Sequence, residues 1–316
     1  MLAPWLELPG LAERLRSYAD VVGQDLAAHG TTSDSTTIRD TAVAQPLLVA
    51  SSLLTFHAVF DGDRDAVGHS AAAVGAVAGH SVGELGAAAI AGVLTEVQAL
   101  DLVTVRGAAM ARAAAVTPTG MSALIGGDPA EVLVRLAELG LTAANVNGGG
   151  QVVAAGTLDA LAALTQDPPA RARVIPLQVA GAFHTTHMAA AVDELAARAG
   201  AVEPANPRIP LLSNADGAVV TSGAGALARL VAQVAHPVRW DLCQQTLRGL
   251  GVTGLLELAP GGVLTGLARR TLPGVETVAV KMPGDLDAAR DLVRRHGGAP
   301  AASDDLTAPD PQENPS

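Results

Sequence analysis

Gly79-His80-Ser81-Val82-Gly83 sets a serine between two glycines, with small apolar residues before it and a helix-forming run after it. A serine placed so can act as a nucleophile on a tight strand-to-helix turn. Its hydroxyl stands clear of the backbone, and the helix N–H groups face any negative charge that develops beside it. Flanking glycines allow strand and helix to approach closely. Val74 to Ala78 reads as a buried strand and Glu84 to Ala91 as a helix, so the pattern has both neighbours it requires. The plain alternative is chance, in a chain with 34 glycines.

A hydroxyl is a weak nucleophile and needs a base. His80 adjoins Ser81, but an elbow turns the two side chains apart. His184, in Gly181-Ala-Phe183-His184, follows a strand and precedes a helix, where α/β folds carry functional loops. It reads equally as a satisfied histidine at a helix start. A hydrolase would also place an acid between serine and histidine in chain order. The acids between 81 and 184 offer no good candidate. Arg106 is the remaining informative residue. Ala99, Val103, Arg106 and Met110 share one face of a helix predicted over 94–115, whose start carries a capping box from Thr95 and Gln98. A guanidinium on an apolar stripe keeps its proton and seeks an anion. That anion is either an internal carboxylate or a substrate carboxylate held in a bidentate clamp.

The elements that must position these residues change rhythm along the chain. Residues 1–113 read as mostly helical, including Trp5 to Leu26 with a break at Pro9-Gly10, and the apolar run Thr41 to Phe60 with Gln45-Pro46 near its start. The middle alternates as Met121–Ile125 strand, Pro129–Leu139 helix, Leu141–Val146 and Gln151–Ala155 strands about a glycine turn, Thr157–Thr165 helix and Ala172–Val179 strand. That order is βαββαβ, a ferredoxin-like pattern inserted at 116–181. The chain then returns to αβ alternation: helices at 189–200, 223–234, 242–249 and 285–295, strands at 209–212 and 253–258. The tail is rich in proline, serine and acid and is expected to be disordered.

The chain has 316 residues, 49% of them hydrophobic, enough for a large core. Its net charge of −11, with no basic run interleaved with aromatics, argues against a nucleic-acid partner. Cys243 is the single cysteine, so there is no internal disulfide framework. No run of 18 or more apolar residues and no signal-peptide pattern is present, which leads to the expectation of a cytoplasmic protein with no membrane partner.

Five motifs in order then carry a resemblance: Gly79 to Glu84, Arg106 to Met110, Asn145-Val-Asn147 with Gln151-Val-Val, Gly181 to His184, and Pro237-Val-Arg239-Trp240. Together they resemble the malonyl-CoA:acyl-carrier-protein transacylase family over about residues 1–290. The resemblance implies an α/β-hydrolase-like core with a parallel sheet, from 1–115 and 182–295, a ferredoxin-like subdomain at 116–181 and a tail at 296–316. It implies that Ser81 takes the malonyl group and that His184 is base and then acid. Arg106 would pair with the malonyl carboxylate, and Val82 N–H would serve the oxyanion hole. Gln45, Met110 and Asn147 would line the pocket, Phe183 would leave little room for an α-methyl group, and the Arg239 main-chain carbonyl would hold the His184 ring. Malonyl-CoA and acyl carrier protein would be the substrates of a monomer with no bound cofactor. Arg239, Arg269 and Arg270 would form a positive patch for the acidic carrier.

The family also opens with a strand and a Gly-Gln-Gly-Ser-Gln loop that supplies a second oxyanion donor. The first glycine here is Gly10, and no such motif occurs. Two expectations compete: Met1 is an internal methionine of the true product, or the chain works with half an oxyanion hole at a cost of roughly 100- to 1000-fold in rate. Two other functions stay open at this point. One is a serine esterase or thioesterase, which would need the missing acid. The other is a non-catalytic remnant that binds the carrier without being acylated.

Overall fold

The computed structural model describes residues 1–60 and 73–297. The first part is helical: α1 (Leu11–Val22), α2 (Leu26–Thr31) and α3 (Thr41–Phe60). α4 (Gly83–Ile90) follows Ser81, and α5 (Glu96–Ala114) begins on the expected capping box, with Thr95 accepting from Gln98 N–H and Gln98 accepting from Thr95 N–H. α3 is apolar on nearly every face and runs through the centre of the main core. Its length and composition would suffice to cross a membrane, yet 67% of its apolar window is buried by the rest of the fold. Pro46, the sixth residue of this helix, cannot donate to the Ala42 carbonyl, which accepts from Gln24 Nε2 at 3.1 Å instead.

The middle folds as the alternating pattern predicts. β1 (Thr119–Gly126), α6 (Pro129–Glu138), β2 (Thr142–Gly148), β3 (Gln151–Thr157), α7 (Leu158–Gln166) and β4 (Ala172–Pro176) follow in turn. Their antiparallel sheet has the order β4-β1-β3-β2. Asp128 and Thr157 cap the two helices through their side chains. Leu124, Val132, Leu136, Leu161 and Leu164 fill the space between sheet and helices.

The remainder comprises α8 (Ala189–Ala199), β5 (Leu211–Leu212), β6 (Val219–Val220), α9 (Gly223–Ala232), β7 (Val238–Arg239) and α10 (Trp240–Gly249). β8 (Gly254–Glu257), α11 (Val263–Thr271), β9 (Glu276–Ala279) and α12 (Leu286–His296) complete it. β7 joins β2 in parallel and β8 pairs with β9 in parallel, so the sheets are mixed.

Three expectations are corrected. The strand expected at Val74–Ala78 is a single parallel bridge, Val77 to Leu211. Its other side borders a cavity of about 830 Å³, lined by Ala76, Ala78, Phe56, Leu256 and Leu292, and among the described residues no further strand pairs there. One continuous parallel sheet is therefore replaced by short separate pairs. The tail does not begin at 296: His296 closes α12 and bonds to Thr253 and Glu276. The rest of the expected tail, 298–316, lies outside the described residues.

Candidate active site

Ser81 sits at a sharp turn between the Val77 bridge and α4, with φ of +53°. A non-glycine residue there stores roughly 1–3 kcal/mol, which the surroundings must hold. Asn214, just after β5, does this. Its Oδ1 accepts from Ser81 N–H at 2.7 Å, and its Nδ2 donates to the Gly79 carbonyl at 2.8 Å. The turn uses its two glycines unequally. A Cβ on Gly79 would lie 2.0 Å from the Gly83 carbonyl carbon, whereas one on Gly83 would meet open space. Gly79→Ala is therefore expected to cost at least about 3 kcal/mol and lower Tm by roughly 5–10 °C. Gly83→Ala should stay within about 1 kcal/mol of the parent. Thermal melts of the two variants side by side check this.

His184 also lies in the left-handed region, at φ +62°. Its loop is pinned by Thr119 Oγ1, which accepts from Ala182 N–H at 3.0 Å, and by Thr185 Oγ1, which donates to the Ala182 carbonyl at 2.6 Å. Ser81 Oγ and His184 Nε2 are 2.7 Å apart. His184 Nδ1 lies 2.8 Å from the main-chain carbonyl of Gln233. A carbonyl only accepts, so Nδ1 carries the proton, and Nε2 is left free to receive the serine proton. This corrects the Arg239 expectation. The Arg239 guanidinium pairs with Asp241, at 2.9 and 2.8 Å, and its N–H donates to the Asn214 carbonyl. The carbonyl that orients His184 comes from the turn that follows α9.

His80 turns away from Ser81 as expected. Its Nε2 meets Asn147 Oδ1 at 2.9 Å and its ring packs on Trp240. Asn147, expected in the pocket, is thus held by His80 and by Gln151 Oε1, to which its Nδ2 donates at 3.1 Å. Phe183 is half-buried beside the core, directly before His184. Val82 is the N-cap of α4. Among the described residues its N–H meets no acceptor, while those of Gly83 and Glu84 bond back to His80 and Ser81.

Arg106 lies on the buried face of α5 with Ala99, Val103 and Met110, as the spacing predicts. It is 2% exposed. Nη1 donates to Gln45 Oε1 at 2.5 Å, and Nη2 donates to Gln233 Oε1 at 2.9 Å and to Ser81 Oγ at 3.2 Å. Gln45 Nε2 donates in turn to Met110 Sδ at 3.4 Å. Among the described residues the guanidinium therefore touches only neutral acceptors. The acid Glu84 is one side chain further off and bonds Gln233. Gln233, Asn214 and Glu84 were given no role by the sequence reading. Glu84 stood within a quoted motif, and Gln233 carried no local signal.

Burial dominates the electrostatics. It pushes the Glu84 carboxyl up to about 8, against the pull of the Asn214 N–H and the Arg106 charge. It brings Arg106 down to about 10, still protonated at neutral pH. Burial, with the Arg106 charge beside it, lowers His184 to about 3. The free base is thus neutral well below pH 6.5, and the pH profile of kcat/KM for serine acylation should show no histidine step at that value. A pH–rate profile from 8 to 5 measures this. The same shift acts on stability. The unfolded histidine charges near 6.5, so the contribution of His184 is complete above that pH. It is lost by about 1.4 kcal/mol per unit as pH falls toward the folded value.

Among the described residues these groups place a serine hydroxyl against a neutral imidazole oriented by a carbonyl, a helix N–H without an acceptor and a buried cation without a counter-anion in contact. The acyl transferase domain matches residues 16–294. The malonyl CoA-acyl carrier protein transacylase of Mycolicibacterium smegmatis is 52% identical over 296 residues, 92% of this chain and 100% of that protein. The crystal structure of MCAT from Mycobacterium tuberculosis superposes with a TM-score of 0.86 at 51% identity, covering 92% of this chain and 94% of that one. A type II PKS acyl-carrier protein in complex with its malonyl-transacylase matches at TM-score 0.82 and 30% identity, over 92% of this chain and 94% of that one. With the domain spanning nearly all the described residues and relatives this similar, the chain belongs to the acyl transferase family.

Proposed function

We propose that this chain moves a malonyl group from malonyl-CoA to the phosphopantetheine thiol of acyl carrier protein, through an ester on Ser81. The observation that carries this is Arg106: a buried guanidinium held by neutral amides, 3.2 Å from the nucleophile. A substrate with a carboxylate two bonds beyond its thioester carbonyl supplies the missing anion and leaves that carbonyl at Ser81.

Ser81 Oγ attacks the thioester carbonyl while its proton passes to His184 Nε2. The tetrahedral oxyanion accepts from Val82 N–H, a type of contact worth roughly 3–4 kcal/mol. Collapse breaks the C–S bond, and the departing thiolate takes the proton from His184. The carrier thiol then gives its proton to His184 and attacks the ester. Ser81 leaves as the alkoxide and recovers the proton, which gives ping-pong order. Gln45 and Met110 flank the guanidinium, and Phe183 crowds the position of an α-substituent.

The esterase alternative is disfavoured because the partner of His184 Nδ1 is a carbonyl and not an acid. The remnant alternative is disfavoured because Ser81, His184 and Arg106 are in mutual contact range. The fold is read as an α/β-hydrolase-like core from 1–115 and 182–295 with a ferredoxin-like subdomain at 116–181, acting as a cytoplasmic monomer. The carrier would approach over Arg269 and Arg270, exposed on α11, with Arg239 occupied by Asp241.

Intact-protein mass spectrometry after brief exposure to malonyl-CoA tests the reading. The parent should gain one malonyl mass and Ser81→Ala none. A parent without gain, or a gain that survives Ser81→Ala, contradicts it.

A further inference from the structure

We propose that Glu84 is a positioning residue for malonyl selection, acting on Arg106 through the side-chain amide of Gln233; this rests on the transacylase reading. Glu84 occupies the first turn of α4, three residues after Ser81, and is 4% exposed. It takes part in none of the steps above. Its Oε1 accepts from Asn214 N–H at 2.7 Å, and its Oε2 accepts from Gln233 Nε2.

The Gln233 amide has its NH₂ end among acceptors: Glu84 Oε2, Asn214 Oδ1 at 3.2 Å and the Ser81 carbonyl at 3.3 Å. Its oxygen points the other way, to Arg106 Nη2. An amide has one donor end and one acceptor end. Both oxygens of Glu84 accept here, and in its ionised form, above a pKa raised to about 8, the carboxylate can only accept and so sets which end faces Arg106. With the amide flipped, NH₂ would face guanidinium and oxygen would face carboxylate, two mismatches among buried groups. Gln233 also keeps the acid out of contact with Arg106. A direct Glu84–Arg106 ion pair would neutralise the cation that the substrate carboxylate needs. The His184 contact uses the main chain of Gln233, so turning the amide alone leaves the base in place.

Glu84→Gln separates this role from scaffolding. The new side chain has one acceptor, which Asn214 N–H claims, and its NH₂ faces Gln233 and turns that amide over. The measurement is kcat/KM for enzyme acylation by malonyl-CoA and by acetyl-CoA, at pH 9 where the Glu84 carboxyl is ionised. The malonyl value should fall roughly tenfold or more relative to the acetyl value. Gln233→Met keeps the main-chain carbonyl, removes both amide ends and should show the same loss of ratio, which serves if Glu84→Gln does not fold. In the Gln233→Met background Glu84→Gln should lower the ratio no further, since its path is gone. Equal losses on both thioesters, an unmoved ratio or additive losses overturn the proposal. A parent that accepts neither thioester ends the transacylase reading as well, whereas a normal parent with an unmoved ratio ends this proposal alone.

Discussion

His184→Ala should reduce malonyl transfer on the order of 10⁴- to 10⁶-fold, as deletion of the base does in other serine enzymes. Among the described residues no second base contacts the serine. His80, next in sequence, is committed to Asn147, and Arg106 can only donate. Burial and the neighbouring guanidinium hold His184 neutral, so the parent base is ready at any pH near neutrality. Binding of a carboxylate at Arg106 cancels part of that repulsion, which helps the same ring keep a proton for the leaving thiolate. The loss should lie in the rate of acylation, read by rapid-quench mass spectrometry, while malonyl-CoA still binds. A His184→Ala variant that acylates within tenfold of the parent would remove the histidine from the mechanism.

Arg106→Ala should cost malonyl acylation about 3–5 kcal/mol, on the order of 10²- to 10⁴-fold, because the substrate carboxylate is left buried without a partner. Acetyl-CoA, which has no carboxylate, should lose far less, so the preference between the two collapses. Arg106→Lys should recover only part, since an ammonium cannot hold the fork between Gln45 and Gln233 and also bind a carboxylate. Initial rates with the two thioesters decide this. Equal losses on both would mean that Arg106 only supports the fold around Ser81.

Much of this site was legible in the sequence because its signals are local. The capping box of α5, the apolar stripe through Arg106 and the elbow at Ser81 depend on neighbours three or four positions apart. The βαββαβ stretch was legible for the same reason, with side-chain caps at Asp128 and Thr157. α11 was missed because its cap is tertiary. Gly262 offers no side chain, and Glu257 on β8 accepts from the N–H groups of Gly262, Leu264 and Thr265 instead. β7 and β9 are two and four residues long, too short for any period to show.

The sequence by itself brought forward Ser81, His184 and Arg106 and the family whose motifs they resemble, since each rests on residue type at a fixed spacing. Only the tertiary structure decided that Gln233 and not Arg239 orients His184, because every residue carries a carbonyl and none is marked in the chain. It also decided that Glu84, Asn214 and Gln233, distant in sequence, close around Ser81 as one buried network. Buried polar groups must find partners wherever the fold brings them, and spacing along the chain holds no record of that meeting.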